Sequence, residues 1–275
     1  MVMTNFIRRT LTGSGLVTVI LAAVWFGPYS FAALVLLIAM LCLREFYQLL
    51  EIPGARPAPG WGILLATSLI LTCFAAASGL FSWKWLLINV PVAFGVFVAE
   101  LYRRRAKFPF ESLALTFLGI TATALPLCFF IALPFLSAQA GYHFELPMGC
   151  FLLLWANDTA AYLVGRKLGR QPLFRRISPK KTWEGSFGGA VAALVTASFL
   201  SRYFTVLSTT EWEILSFIIV VTGTYGDLLK SMLKRSRGVK DSGTILPGHG
   251  GMLDRFDSLL GSAPFICVFV ILLER

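Results

Sequence analysis

Apolar residues in this chain do not alternate with polar ones; they run on. Stretches such as LVTVILAAVWFG at residues 16–27 recur along the sequence with short polar breaks between them. The strand of a membrane barrel alternates between lipid and lumen, so this pattern excludes one. Inside a bilayer the backbone has no water to bond with, and a helix satisfies its N–H and C=O groups internally. Roughly 20 residues make one crossing. Segments 14–27, 29–49, 61–80, 83–101, 112–136, 146–165, 186–206, 212–233 and 256–273 fit this reading. The fold class expected is therefore all-α: a polytopic integral membrane helical bundle of about nine transmembrane helices, with no strands. The composition agrees, at 57% hydrophobic and 14% charged residues with a mean hydropathy of +0.76. No repeat or low-complexity stretch divides the chain, and EIPGARPAPG (51–60) reads as a loop between spans. One membrane domain, 1–275, is expected, with N-terminal spans in 1–145 and the polar loops and spans that carry chemistry in 146–275.

Charge orients the bundle. With the N-terminus in the cytoplasm, all of the 24 Lys and Arg except Lys84, Arg202 and Arg275 fall on that side. Cationic loops stay in the cytoplasm, so the arrangement expected is N-in/C-out with an odd number of spans. The net charge of +10 is then concentrated on one face, suited to anionic lipid head groups or a polyanionic soluble substrate. Nucleic acid is a poor fit, because the bases are split among loops with no aromatic stacking pattern between them. Arg8 and Arg9 before the first apolar run resemble a signal peptide, but apolar character resumes directly after PYS (28–30), so an uncleaved first helix is expected. Cys42, Cys73, Cys128, Cys150 and Cys267 lie in or beside apolar runs with no CxxC pair, and read as core-filling thiols.

Carboxylates within such segments need a reason. Asp158, beside Asn157, and Asp227 both lie in spans, where an ionised Asp costs on the order of 3 kcal/mol and turns towards a partner or a hydrated cavity. Lys230, Ser231 and Lys234 follow Asp227 at i+3, i+4 and i+7, on one helical face. Asp254 and Asp257 are i, i+3 at the start of the last span. Three converging carboxylates repel unless a cation lies between them, and hard oxygen ligands without Cys or clustered His favour Mg2+, the number of cations being left open. Structural ion pairing of Asp254 and Asp257 with Arg255 and Lys240 is the plainer alternative. PGHGG (247–251) puts Gly248, Gly250 and Gly251 around His249 just before a helix, where backbone N–H groups can face an anion. The stretch 165–189 carries seven Lys/Arg and five Gly around SPKKTWEG, and suits a triphosphate without being a Walker A loop. Retention of a cytoplasmic loop would by itself account for its charge.

These residues carry a resemblance. SMLKRSRGVKDSGTILPGHGGMLDRFD (231–257) resembles the signature of the CDP-diacylglycerol synthases, or phosphatidate cytidylyltransferases, and ISPKKTWEGSFGG and NDTAAYLVGRKLG are similar to further motifs of that family. The resemblance implies a reaction of CTP with phosphatidate in the membrane, giving CDP-diacylglycerol and pyrophosphate with Mg2+. It implies catalytic roles for Asp227, Lys234, Arg235, Lys240, Asp241, His249 and Arg255, and substrate contacts from Asn157, Asp158, Ser178, Lys180, Lys181, Thr182, Gly250 and Gly251. Metal ligation falls to Asp227 and Asp254, with Asp257 as a third ligand or close support. Lys230 stands where the family commonly has Glu, and Ala160 where Gly is usual. A CTP-dependent kinase acting on a polyprenol or phytol is the alternative enzyme, and an anion transporter the non-enzymatic one. A bacterial inner membrane with the site facing the cytoplasm is the expected location, and a homodimer is compatible with the sequence.

Overall fold

The computed structural model describes residues 2–103, 107–137, 140–245 and 250–273, with the backbone alone for residues 2–9. Ten α-helices dominate among the described residues: α1 Val2–Trp25, α2 Pro28–Leu50, α3 Pro59–Ala77, α4 Asn89–Leu101, α5 Pro109–Gly119, α6 Leu125–Ala132, α7 Glu145–Leu168, α8 Trp183–Leu200, α9 Thr209–Ser236 and α10 Leu253–Leu273. A 3-10 turn, Trp83–Ile88, leads into α4, and a π-turn, Ile120–Ala124, joins α5 to α6. Pro126 explains the wide turn: it has no N–H for the carbonyl one turn back, and a π-turn relaxes the ladder there. Six segments among the described residues are long and apolar enough to cross a membrane: Pro28–Leu50, Pro59–Ala77, Trp83–Leu101, Pro109–Phe135, Thr209–Ser236 and Leu253–Leu273. α7 and α8, expected as spans, fall outside that set, and the apolar part of α1 is the shorter Thr10–Trp25.

The expectation of no strands is corrected. Within the basic loop, β1 Pro172–Phe174 and β2 Ser178–Thr182 pair antiparallel, with Pro172 opposite Thr182 and Phe174 opposite Ser178.

The chain forms two compact units, Met1–Phe135 with Asp241–Arg255, and Leu136–Lys240 with Phe256–Arg275. In the first, α2 is the spine: Phe31, Ile38, Cys42 and Leu43 are buried along it, and Phe31 meets Phe130 edge to face at 5.6 Å. The loop at 51–58 is bonded into this unit. Arg56 N–H donates to Ser112 Oγ (3.1 Å), Ala58 N–H to Thr116 Oγ1 (2.9 Å), and Tyr47 Oη to the Thr116 carbonyl (2.9 Å). Tyr47 requires glycine beside it, since a Cβ on Gly62 would fall 2.0 Å from its hydroxyl. Glu100, buried in α4, pairs with Arg103 at 3.2 Å, and Arg103 donates onward to the Arg56 carbonyl at 2.9 Å.

In the second unit, small residues bring helices close. A Cβ on Gly149 would meet the Trp212 ring at 2.3 Å, and one on Gly185 would meet the Ala161 carbonyl at 2.8 Å. Trp212, fully buried, donates Nε1–H to the Phe204 carbonyl at 3.1 Å. Ser208 opens α9 with a reciprocal capping box to Glu211, which satisfies two otherwise orphan donors.

Candidate active site

The second unit gathers acid and base between α9 and α10. Gly226 and Gly261 cross with so little space that a Cβ on Gly226 would lie 2.7 Å from the Gly261 Cα and 2.8 Å from the Asp257 carbonyl. That approach sets the side chain of Asp227, the next residue on α9, against Asp257 of α10, and the two carboxyls reach hydrogen-bonding contact. Lys181 reaches in from β2 and forms an ion pair with Asp227 Oδ2. Ser231 Oγ donates to Asp227 Oδ1 at 3.1 Å, and the buried Lys234 ammonium acts electrostatically on both carboxyls. Asp257 Oδ1 also accepts its neighbour Ser258 N–H at 2.7 Å. Two carboxyls and two ammonium groups thus share one half-wet site, of which Asp257 is 9% exposed.

The hairpin explains why Lys181 and not Lys180 enters. Successive side chains of a strand face opposite ways, so Lys181 turns to Asp227 while Lys180 is exposed. Ser178 is half-buried at the start of the same strand. Thr182 is the N-cap of α8, its Oγ1 accepting Gly185 N–H at 3.2 Å, and it fills the space left by Gly165 and Gly169. Glu184 accepts Gln171 N–H at 3.2 Å; bonds from its own backbone N–H and from that of Arg170 hold its carboxyl below the usual range. Arg235 spans back from α9, donating to the carbonyls of Val239 (3.1 Å) and, at a long 3.5 Å, Ile177. Asn157 is 6% exposed, donates Nδ2–H to Asp158 Oδ1 at 3.1 Å and lies against Gly189, while Asp158 itself is exposed. Lys230 is half-buried one turn beyond Asp227, and Lys240 is exposed.

The first unit holds the glycine-rich stretch. Asp254 Oδ2 accepts the N–H of Ser242 at 2.8 Å and of Gly251 at 3.2 Å, tying both residues to the start of α10. Gly250 adopts φ +83°, which a residue with a Cβ rarely takes, and a Cβ there would meet Asp254 Oδ2 at 3.4 Å. Asp241 and Arg255 are exposed. His249 lies outside the described residues. Among the described residues no three His, Cys, Asp or Glu side chains gather as a ready-made metal cage.

Sequence reasoning missed one residue. Glu45 of α2 is wholly buried and takes three hydrogen bonds from this loop, at Ser242 Oγ, Met252 N and Leu253 N, each 2.9 Å. Its signal was faint: it stands beside Arg44 at the polar end of its span, where charge is ordinary.

Fold and site together define a polytopic helical protein of membrane type, with a cation and carboxylate cluster between two of its long apolar helices. The chain belongs to the cytidylyltransferase family, whose model matches residues 7–273. It is 30% identical over 270 residues to the phosphatidate cytidylyltransferase of Staphylococcus haemolyticus, covering 96% of this chain and 98% of that one. It is 31% identical to the Haemophilus influenzae protein of the same name, over 95% and 97% of the two chains. Against a chloroplastic phosphatidate cytidylyltransferase of Arabidopsis thaliana it is 30% identical, over 97% of this chain and 72% of the relative.

Proposed function

We propose that this protein is a phosphatidate cytidylyltransferase, joining the CMP part of CTP to phosphatidate and releasing pyrophosphate. The observation that carries the reading is identity of about 30% along nearly the whole chain to relatives of that name. In the reaction a phosphate oxygen of the lipid attacks the α-phosphorus of CTP. The bond from that phosphorus to the bridging oxygen breaks in line, and its electron pair leaves with pyrophosphate. The attacking monoester is already anionic at neutral pH, so the chain need not supply a strong base; it must neutralise phosphate charge.

Lys181 and Lys234 suit that task. Lys181, held by Asp227 in the free protein, is placed to exchange part of that partnership for triphosphate oxygens, with Lys180 and Ser178 on the same strand. Asp227 and Asp257 suit a hard divalent cation: two carboxyls in contact call for a shared positive charge, and Mg2+ commonly takes one or two carboxylates together with substrate phosphates. When bound, Mg2+ supplies charge neutralisation at the phosphates. Asp254 is the further ligand expected from sequence, although its Oδ2 already serves two backbone N–H groups. Lys240, Asp241, His249 and Arg255 are assigned to the substrate phosphates or their support, and Thr182 and Asn157 to shaping the nucleotide loop. The chain is read as nine spans, N-in/C-out, with this chemistry on the cytoplasmic face of a bacterial inner membrane.

The test is an assay in detergent micelles with phosphatidate, Mg2+ and CTP labelled separately at the α- and γ-phosphates. Label in lipid from the α-position, with γ-label released as pyrophosphate, supports the transferase. Lipid labelled only from the γ-position means a lipid kinase, and lipid without label returns the transporter or an inactive relative.

A further inference from the structure

We propose that Glu45 is a positioning residue for cytidylyl transfer, holding the glycine-rich loop from the far end of the chain. The inference rests on the reading that this loop serves the reaction.

The start of α10 lacks a cap of its own. The first N–H groups of a helix have no partner inside it, and the residue before Leu253 is Met252, whose side chain has no oxygen to offer them. Glu45, about 200 residues earlier, supplies the missing acceptor. Its Oε1 takes Met252 N–H and its Oε2 takes Leu253 N–H and the Ser242 hydroxyl, each at 2.9 Å. Ser242 N–H and Gly251 N–H meanwhile bond to Asp254 Oδ2. Both flanks of the glycine-rich stretch are therefore pinned, at Ser242 and at Gly251 to Leu253.

Glu45 also accounts for two glycines of the loop. A Cβ on Gly243 would lie 2.6 Å from Glu45 Oε1, and one on Gly251 would lie 2.4 Å from Oε2 and 2.1 Å from Ser242 Oγ. At these two positions the backbone closes on the carboxylate with no room for a side chain. At 0% exposure no water can replace the acceptor, so a change here leaves donors unpaired. Glutamine has the right shape but accepts at one oxygen only. Either way round, its NH2 faces a backbone N–H, Met252 in one orientation and Leu253 in the other. Aspartate keeps both acceptors but retracts them by about 1.5 Å.

The experiment uses the full-length protein in micelles: E45Q, E45D, S242A and E45Q/S242A, with E100Q as a buried-carboxylate control in the same unit that does not touch the loop. Turnover, KM for each substrate, thermal unfolding and hydrogen exchange are measured. In E45Q, kcat is expected to fall at least tenfold per folded molecule, with faster exchange confined to residues 241–255. The double variant should lose little beyond E45Q alone, because one network is broken once. E100Q should retain its turnover per folded molecule. An E45Q enzyme within twofold of wild type in kcat and KM overturns the assignment. So does loss that multiplies with S242A, or exchange that rises throughout α2 to α6 in step with lost activity. If E45Q does not accumulate folded, E45D carries the test: a tenfold fall in kcat supports the assignment and wild-type kcat overturns it. A wild-type protein that makes no CDP-lipid sinks the transferase reading itself, whereas equal turnover by wild type and E45Q sinks only Glu45.

Discussion

At the residue scale, two carboxylates do different work. Asp227 touches Lys181, Ser231 and Asp257, while Oδ2 of Asp254 receives two backbone N–H groups. Asparagine at 254 can still place one oxygen on those donors, so D254N should fold and elute as wild type while turnover drops at least about a hundredfold, as expected when a charge needed for phosphate chemistry is lost. Substantial turnover in D254N would reduce Asp254 to a loop tether. K181A removes the cation that forms an ion pair with Asp227, and its apparent KM for CTP should rise about tenfold, on the scale of a charge-assisted bond. A change confined to the phosphatidate dependence would move Lys181 away from the nucleotide. Asp227 was legible in the sequence because a carboxylate in an apolar helix needs a partner. Glu45 was not, because its three donors are brought to it only by tertiary folding, and the capping of α8 by Thr182, read as a substrate contact, was likewise not legible.

At the element scale, periodicity located the helices well and their junctions poorly. The span expected at 29–49 is α2, Pro28–Leu50, but that expected at 186–206 ends at Leu200. Tyr203 and Phe204 prolong the apolar signal there, while the chain is already turning towards the Ser208 cap. The β-hairpin was hidden because Pro172 and Pro179 and a run of bases do not look like a strand; it forms because Lys181 and Thr182 each have somewhere to go. Capping makes a quantitative forecast. T182A should cost about 1 kcal/mol of stability, read as a lower unfolding midpoint in detergent, with the loss of one N-cap acceptor. The crossing of α9 and α10 makes a second. Since a Cβ on Gly226 would stand 2.7 Å from the Gly261 Cα, G226A must part the helices at about 1–3 kcal/mol. It should also lower turnover by separating Asp227 from Asp257. Unchanged stability and activity would mean that the crossing has slack and does not set the site.

At the scale of the whole molecule, hydropathy and function pull against each other. α7 and α8 fall short of the apolarity of the six clear spans; α7 bears Asn157, Asp158 and the basic residues of its last turn, and α8 is short at 18 residues and opens with Glu184. A hydropathy count alone therefore reaches six and loses the parity on which the positions of both termini depend. The charge distribution is what favours the proposed nine crossings, which would put Lys107 and Arg175 on the cytoplasmic side and Lys84 and Arg202 opposite. All four side chains are exposed, and four of the five native cysteines are buried, leaving Cys73 as the one to replace. In a Cys73→Ala background, K107C and R175C should react with a membrane-impermeant maleimide in inverted inner-membrane vesicles and not in right-side-out ones. K84C and R202C should do the reverse. If Arg202 labelled with Arg175, α8 would not cross, and an even number of spans would return the C-terminus to the cytoplasm.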